Sequence, residues 1–285
     1  MSLARILRGA GMLAIMAVEA CSPAPLLNLI VPRDGYHVLR DLAYGTDARQ
    51  KLDLYLPDAL KRPAPVILFF YGGSWQSGKK SDYLAFGQAF ASRGIVVAVA
   101  DYRLYPTVRY PAFVEDGARA LTFLHAHVAQ FGGDPARIFL AGHSAGAYIA
   151  VMLASDRSYL RKAGADPDWI HGVIGIAGPY DFLPLVDNDL IAIFGGADRP
   201  ETQPINHIDG PRAPMLLATG TDDSVVGPKN TFHLEARLRS WNSPVKVITY
   251  PGIGHIGIIL SLAPGFRGTT TLRGDITDFV AGARR

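Results

Sequence analysis

The sequence predicts an α/β fold: a doubly wound, mostly parallel sheet of about eight strands, flanked by helices. Three observations carry this. Six short runs (66–71, 95–100, 138–141, 173–177, 215–219 and 245–250) are rich in Val, Ile, Leu or Phe and bounded by Gly, Pro or Asp. Runs without a polar face suit strands covered on both sides, as in a parallel sheet. Helix-length segments alternate with them, at 81–93, 113–131, 145–154 and 228–240. Finally, a chain of 285 residues that is 49% hydrophobic is long enough to bury a single large core.

In chain order, residues 1–21 read as an address. Arg5 and Arg8 precede the apolar stretch GAGMLAIMAV, and small residues come after it. That is the pattern of a secretory signal. Ten residues rise about 15 Å as a helix, too little to cross a ~30 Å hydrocarbon core. Ala20-Cys21 resembles the end of a bacterial lipoprotein signal, which would make Cys21 a lipid-bearing membrane anchor, although Glu19 departs from that pattern. The expectation is an exported protein, periplasmic or anchored. The other reading is a retained N-terminal amphipathic helix on a cytoplasmic protein.

Residues 22–34 form an extension, and 35–285 read as one domain without internal repeat or long linker. Tyr36 to Tyr44 and Gln50 to Leu56 are expected to be antiparallel strands joined around Gly45-Thr46-Asp47. Ser81-Asp82 is expected to N-cap the first helix and Gly94 to stop it. An insertion at about 183–212 mixes Leu185, Leu190, Ile193 and Phe194 with Pro and Gly, enough for a small cap.

Composition narrows the function. With 28 Lys and Arg against 25 Asp and Glu, the net charge is only +3, and no basic block occurs. This argues against disorder and against a nucleic-acid partner. The single cysteine excludes an intrachain disulfide and Cys-based zinc sites. No metal-ligand spacing appears, since His125 and His127 would point to different faces of one helix. No metal or cofactor is expected.

The chemistry begins at Gly142-His143-Ser144-Ala145-Gly146, which comes after a predicted strand and opens a predicted helix. In that setting G-x-S-x-G is a nucleophile elbow, a tight turn that lifts the serine hydroxyl out at the sheet's carboxyl edge. A hydroxyl needs a base to take its proton and a carboxylate to orient that base, in the order Ser, Asp or Glu, His. Gly220-Thr221-Asp222-Asp223-Ser224-Val225-Val226 comes after one later strand, and Pro251-Gly252-Ile253-Gly254-His255 after the next. His255 is the candidate base, because the only other histidine beyond the acid loop, His233, lies mid-helix. Asp222 and Asp223 compete for the acid role. The loop resembles hydrolase acid loops in which the acid stands three after the Gly and two before a Val. That resemblance favours Asp223 and leaves Asp222 to cap the turn. Tyr71-Gly72-Gly73-Ser74-Trp75, directly after the strand at 66–70, is the candidate source of oxyanion donors.

Together, Gly72-Gly73-Ser74-Trp75, Asp101-Tyr102-Arg103-Leu104, Gly132-Gly133-Asp134-Pro135 and Gly142 to Gly146 resemble the hormone-sensitive-lipase-like and bacterial feruloyl/acetyl-esterase group of α/β-hydrolase carboxylesterases. The resemblance implies an α/β-hydrolase fold with catalytic Ser144, Asp223 and His255, and oxyanion N–H groups from Gly73, Ser74 and Ala145. Tyr71 stands where that group usually has histidine. Asp101, Arg103 and Asp116 read as a structural charge network. Tyr71, Trp75, Tyr180 and Phe182 are expected to line the substrate pocket and favour short acyl or aryl esters as small-molecule substrates. Arylformamidases share these motifs and remain an alternative, as does a non-catalytic binding module of the same fold.

Overall fold

The structure, a computed structural model, describes residues 28–60 and 63–282. The signal-like segment and Cys21 lie outside the described residues. Among the described residues, no helix is long and apolar enough to cross a membrane.

Eight strands form one sheet in the order β1-β2-β4-β3-β5-β6-β7-β8. β1 (Tyr36–Ala43) and β2 (Lys51–Pro57) pair antiparallel, and β2 pairs antiparallel with β4 (Val96–Ala100). The others are parallel: β3 (Ala64–Phe70), β5 (Gly133–His143), β6 (Ile170–Ile176), β7 (Met215–Gly220) and β8 (Val245–Tyr250). The expected α/β class and mostly parallel eight-stranded sheet are what the chain adopts.

The apolar runs are apolar because helices cover them on both faces. α1 (Leu84–Ala91), α2 (Ala112–His127), α3 (Ala145–Ser155), α6 (Lys229–Ser240) and α8 (Leu272–Gly282) are the main covering helices, with the short α4 (Ser158–Lys162) after α3. Val66 to Phe70 and Val96 to Ala100 are wholly inaccessible to solvent. β8 differs from the expectation of a strand covered on both faces. It forms the sheet's edge, with only Tyr250 buried, and its polar Lys246 and Thr249 suit that position.

The first helix also starts differently. Lys80–Tyr83 is a 3₁₀ turn, and neither Ser81 nor Asp82 caps α1. Tertiary bonds hold this turn instead. Lys80 Nζ reaches Asp53 at 2.7 Å and Asp41 at 2.8 Å, its amide donates to Asp101, and Asn28 donates to the Ser81 carbonyl.

β3 has β4 on one side and β5 on the other. The strand order therefore reverses between β3 and β5, and the loops leaving their carboxyl ends diverge, opening the crevice where α/β sheets bind ligands. Register keeps the strand ends level there: Phe70 pairs with Gly142, His143 with Ile176, Ile176 with Ala218, and Gly220 with Tyr250. The segment 183–212 arches over this edge as one short helix, α5 (Asn188–Phe194), capped by the Asp187 carboxylate, and two 3₁₀ turns.

Candidate active site

Ser144 sits between β5 and α3 with φ 54° and ψ −123°, a region costly for any residue with a β-carbon. The glycines around it serve a different need. A β-carbon on Gly142 would lie 2.2 Å from the Gly146 backbone, and one on Gly146 would lie 2.0 Å from the Phe70 carbonyl oxygen. The motif thus lets α3 press directly onto β3 and β5. Ser144 carries the strain, its amide donating to Ile176 and its carbonyl accepting the first helical bond, from Tyr148.

The structure brings together Ser144, His255 and Asp223 from three separate strand ends. Ser144 Oγ lies 2.9 Å from His255 Nε2, and His255 Nδ1 lies 2.8 Å from Asp223 Oδ2. An ionised carboxylate only accepts, so Nδ1 carries the proton and Nε2 is left to accept from the serine hydroxyl. All three are nearly buried, at 9%, 8% and 5% exposure. Burial pushes the Asp223 carboxyl upward, but hydrogen bonds from His255 and from the Val226 and Val225 amides outweigh it and hold the group below its usual range.

Asp222 goes elsewhere. Its carboxylate accepts from Thr221 Oγ1, and its amide donates to the Ile253 carbonyl. Thr221 Oγ1 in turn accepts from the Gly252 amide. The acid loop and the histidine loop are laced together behind the pair. α7 (His255–Leu260) begins at the histidine itself.

After β3, three successive residues take positive φ: Gly73 at 126°, Ser74 at 51° and Trp75 at 59°. The turn closes on the Gly73 carbonyl, which accepts from the Gln76 and Ser77 amides. Gly72 abuts Ser144, since a β-carbon there would stand 3.0 Å from Ser144 Cβ. Among the described residues, the N–H groups of Gly73, Ser74 and Ala145 donate to no protein acceptor.

Of the four expected pocket aromatics, two line the cleft. Trp75 and Phe182 do so, with Ser74, Ala145, Pro179, Leu185, Leu190 and Val226. Its volume is about 220 Å³. Tyr71 does not reach it. It is buried behind the Gly73–Trp75 turn, between Tyr83 and Tyr102, donating to Asp101 and accepting from Arg49. Arg49 also donates to the Gly78 and Tyr102 carbonyls. Tyr180 is also buried away from the cleft, its hydroxyl filling space that glycine leaves at 175 and 178. Position in sequence could not separate these two from Trp75 and Phe182, because facing depends on the turns between them.

Asp116 is wholly buried and held by Arg103, in a two-pronged pair, and by Gln50. Asp101, expected from the sequence to share one charge network with Arg103 and Asp116, does not join them: its carboxylate accepts from the Tyr71 hydroxyl and the Lys80 amide. Two site residues were missed. Asn230 lines the cleft and anchors it, accepting from the Tyr180 and Asp181 amides through one oxygen. His143, the residue before Ser144, is buried with Nε2 3.1 Å from the His255 carbonyl. Its only sequence signal was its place in the motif. A second hollow, about 320 Å³, lies at the opposite ends of the strands beside Arg157 and Arg212, away from this serine. Among the described residues, no group of three or more His, Cys, Asp or Glu could hold a metal ion.

A parallel sheet with a serine elbow after β5 and a histidine after β8 is the architecture of the α/β hydrolases. Within that class the chain belongs to the BD-FAE family, whose model matches residues 52–238. It is 32% identical over 247 residues to a probable isoprenylcysteine alpha-carbonyl methylesterase of Arabidopsis thaliana, covering 79% of this chain and 52% of the relative. It is 30% identical over 267 residues to the esterase LipC of Mycobacterium tuberculosis, covering 84% and 65%. The chain thus spans between about half and two thirds of these relatives' lengths. Esterase B from Lactobacillus rhamnosis HN001 superposes with a TM-score of 0.80 at 18% identity, covering 98% of this chain and 95% of that one, a likeness of fold.

Proposed function

We propose that the protein is a serine carboxylesterase that hydrolyses small acyl or aryl esters through an acyl-enzyme. The observation that carries this is the unbroken chain of bonds from Asp223 through His255 to Ser144 at the mouth of the cleft. Esterase relatives support it.

Ser144 Oγ attacks the ester carbonyl carbon while its proton passes to His255 Nε2. The carbonyl electron pair moves to oxygen, where the unengaged N–H groups of Gly73, Ser74 and Ala145 would receive the charge. One such donor is worth about 3–4 kcal/mol in measured cases. Collapse expels the alcohol, which takes the proton from His255 and leaves the acyl group on Ser144. Water then repeats the sequence and regenerates the serine. Asp223 stays ionised and stabilises the imidazolium each time.

The cleft of about 220 Å³ is smaller than the usual pocket for a drug-sized ligand, which supports a short acyl or aryl group. The methylesterase relative adds methyl esters of apolar acids to the candidates. The pattern of residues 5–23 supports export, with lipidation at Cys21 as its anchored form.

The test compares turnover of p-nitrophenyl acetate, butyrate and palmitate by the wild type and Ser144→Ala. Fast acetate and butyrate turnover that disappears in the variant supports the reading. Serine-independent turnover defeats the acyl-enzyme, and a preference for palmitate defeats the substrate class.

A further inference from the structure

His143 is buried to 2% exposure between the oxyanion turn and the histidine loop. Its Nε2 faces the His255 carbonyl oxygen at 3.1 Å. A carbonyl can only accept, so Nε2 bears the proton and Nδ1 carries a lone pair. Among the described residues, that Nδ1 has no hydrogen-bond partner, and it packs against Gly72. An unsatisfied buried polar atom costs about 1–3 kcal/mol. Packing alone would therefore be better served by an apolar side chain, and the imidazole's one polar contact is with the residue that must take the serine's proton.

That residue needs holding. The bonds that lace its loop to the acid loop, at the Gly252 amide and the Ile253 carbonyl, stop short of His255 itself. Its ring must meet Asp223 on one side and Ser144 on the other. Two bonds therefore join consecutive residues of the elbow to the same histidine: Ser144 to its ring, His143 to its backbone.

We propose that His143 is a positioning residue, which through its Nε2–H bond to the His255 carbonyl keeps the base in register with the nucleophile. This rests on the acyl-enzyme reading above. The side chain also suits the charge that develops. Burial, and next the neighbouring His255, push His143 down to about 3, so it stays neutral near pH 7. It thus donates without placing a second positive charge beside the imidazolium, whose ring centre is 4.9 Å away.

Two variants of nearly equal size separate donor from packing. His143→Gln keeps an N–H donor at about the same reach, and His143→Met removes it. Each is assayed on p-nitrophenyl butyrate, with competent sites counted by a fluorophosphonate titration so that any misfolded fraction drops out. The expected result is kcat per competent site at least about tenfold lower in His143→Met, since small misplacements of reacting groups carry large rate penalties. KM should stay within about threefold, and His143→Gln should keep kcat within about threefold of wild type. Wild-type kcat in His143→Met, or equal impairment in the two variants, overturns the proposal. If the Met variant does not fold, the Gln variant decides alone: near-wild-type kcat supports the proposal, and a loss beyond about tenfold overturns it. Ser144→Ala, run alongside, reports separately on the acyl-enzyme, because only that reading fails if the alanine enzyme still turns over.

Discussion

A β-carbon on Gly146 would stand 2.0 Å from the carbonyl oxygen of Phe70, a backbone atom in the middle of the sheet. The helix that opens after Ser144 is seated by this contact. Gly146→Ala should therefore cost about 3 kcal/mol or more, since neither backbone can yield. Thermal unfolding should show a drop of roughly 6–12 °C. A fall of under a degree would mean that α3 can slide.

Ser144 supplies the opposite case. Its backbone, at φ 54° and ψ −123°, is strained for a residue with a side chain. Ser144→Gly should relieve that strain and raise stability by about 1 kcal/mol. The same change should lower kcat by about 10⁶-fold, as loss of a catalytic serine does elsewhere. Urea denaturation and ester turnover on the same preparation would show whether the two move in opposite directions.

Asp223 links activity to pH. Its carboxyl titrates below the usual 3.8 because His255 and two amides bond its ionised form. The sign comes from a depressed folded value: the stabilisation is fully present above the unfolded value and is lost as pH falls through the folded one. Asp223→Asn should thus lower Tm most near neutral pH, with the gap to wild type closing below about pH 4. Its kcat should fall by about 10⁴-fold, the loss seen when the equivalent group is neutralised in a serine protease. A gap in Tm that stays constant down to acid pH would count against this assignment of the charge.

Tyr71 tests the wall behind the turn at Gly73 to Trp75, the proposed source of the oxyanion donors. Its hydroxyl donates to Asp101 at 2.8 Å and accepts from Arg49 at 2.5 Å. Tyr71→Phe leaves both charged partners short of a bond and should cost about 1–3 kcal/mol. With the turn less firmly held, kcat should fall by about fivefold to tenfold while KM stays nearly constant. Unchanged kcat alongside lowered stability would show that the turn holds its shape without this tie.

Much of this was legible in the residues because it depends on short-range sterics. Ile138 to Ala141, then Gly-x-Ser-x-Gly and an apolar helix, specify a strand, an elbow and a helix within one stretch of chain. The helix at Lys80–Tyr83 was less legible. Its start is held by Asp53, Asp41 and Asn28, none of them near it in sequence.

The sequence by itself determined the α/β class, the succession of strands and helices, and the serine and histidine at strand ends. Each of these arises from local patterning and turn chemistry. The acid loop's resemblance favoured Asp223 over the adjacent Asp222, but only the tertiary structure decided between these two carboxylates of the same chemistry. Asp223 faces His255, 32 residues away, because the Val225 and Val226 amides turn it inward, while the Asp222 amide is tied to Ile253. The tertiary structure alone also turned Tyr71 and Tyr180 into the core, left Trp75 and Phe182 at the cleft, and set His143 against the His255 backbone, 112 residues on. Such pairings depend on how distant loops converge above the sheet, and nothing in the local pattern of either loop encodes its partner.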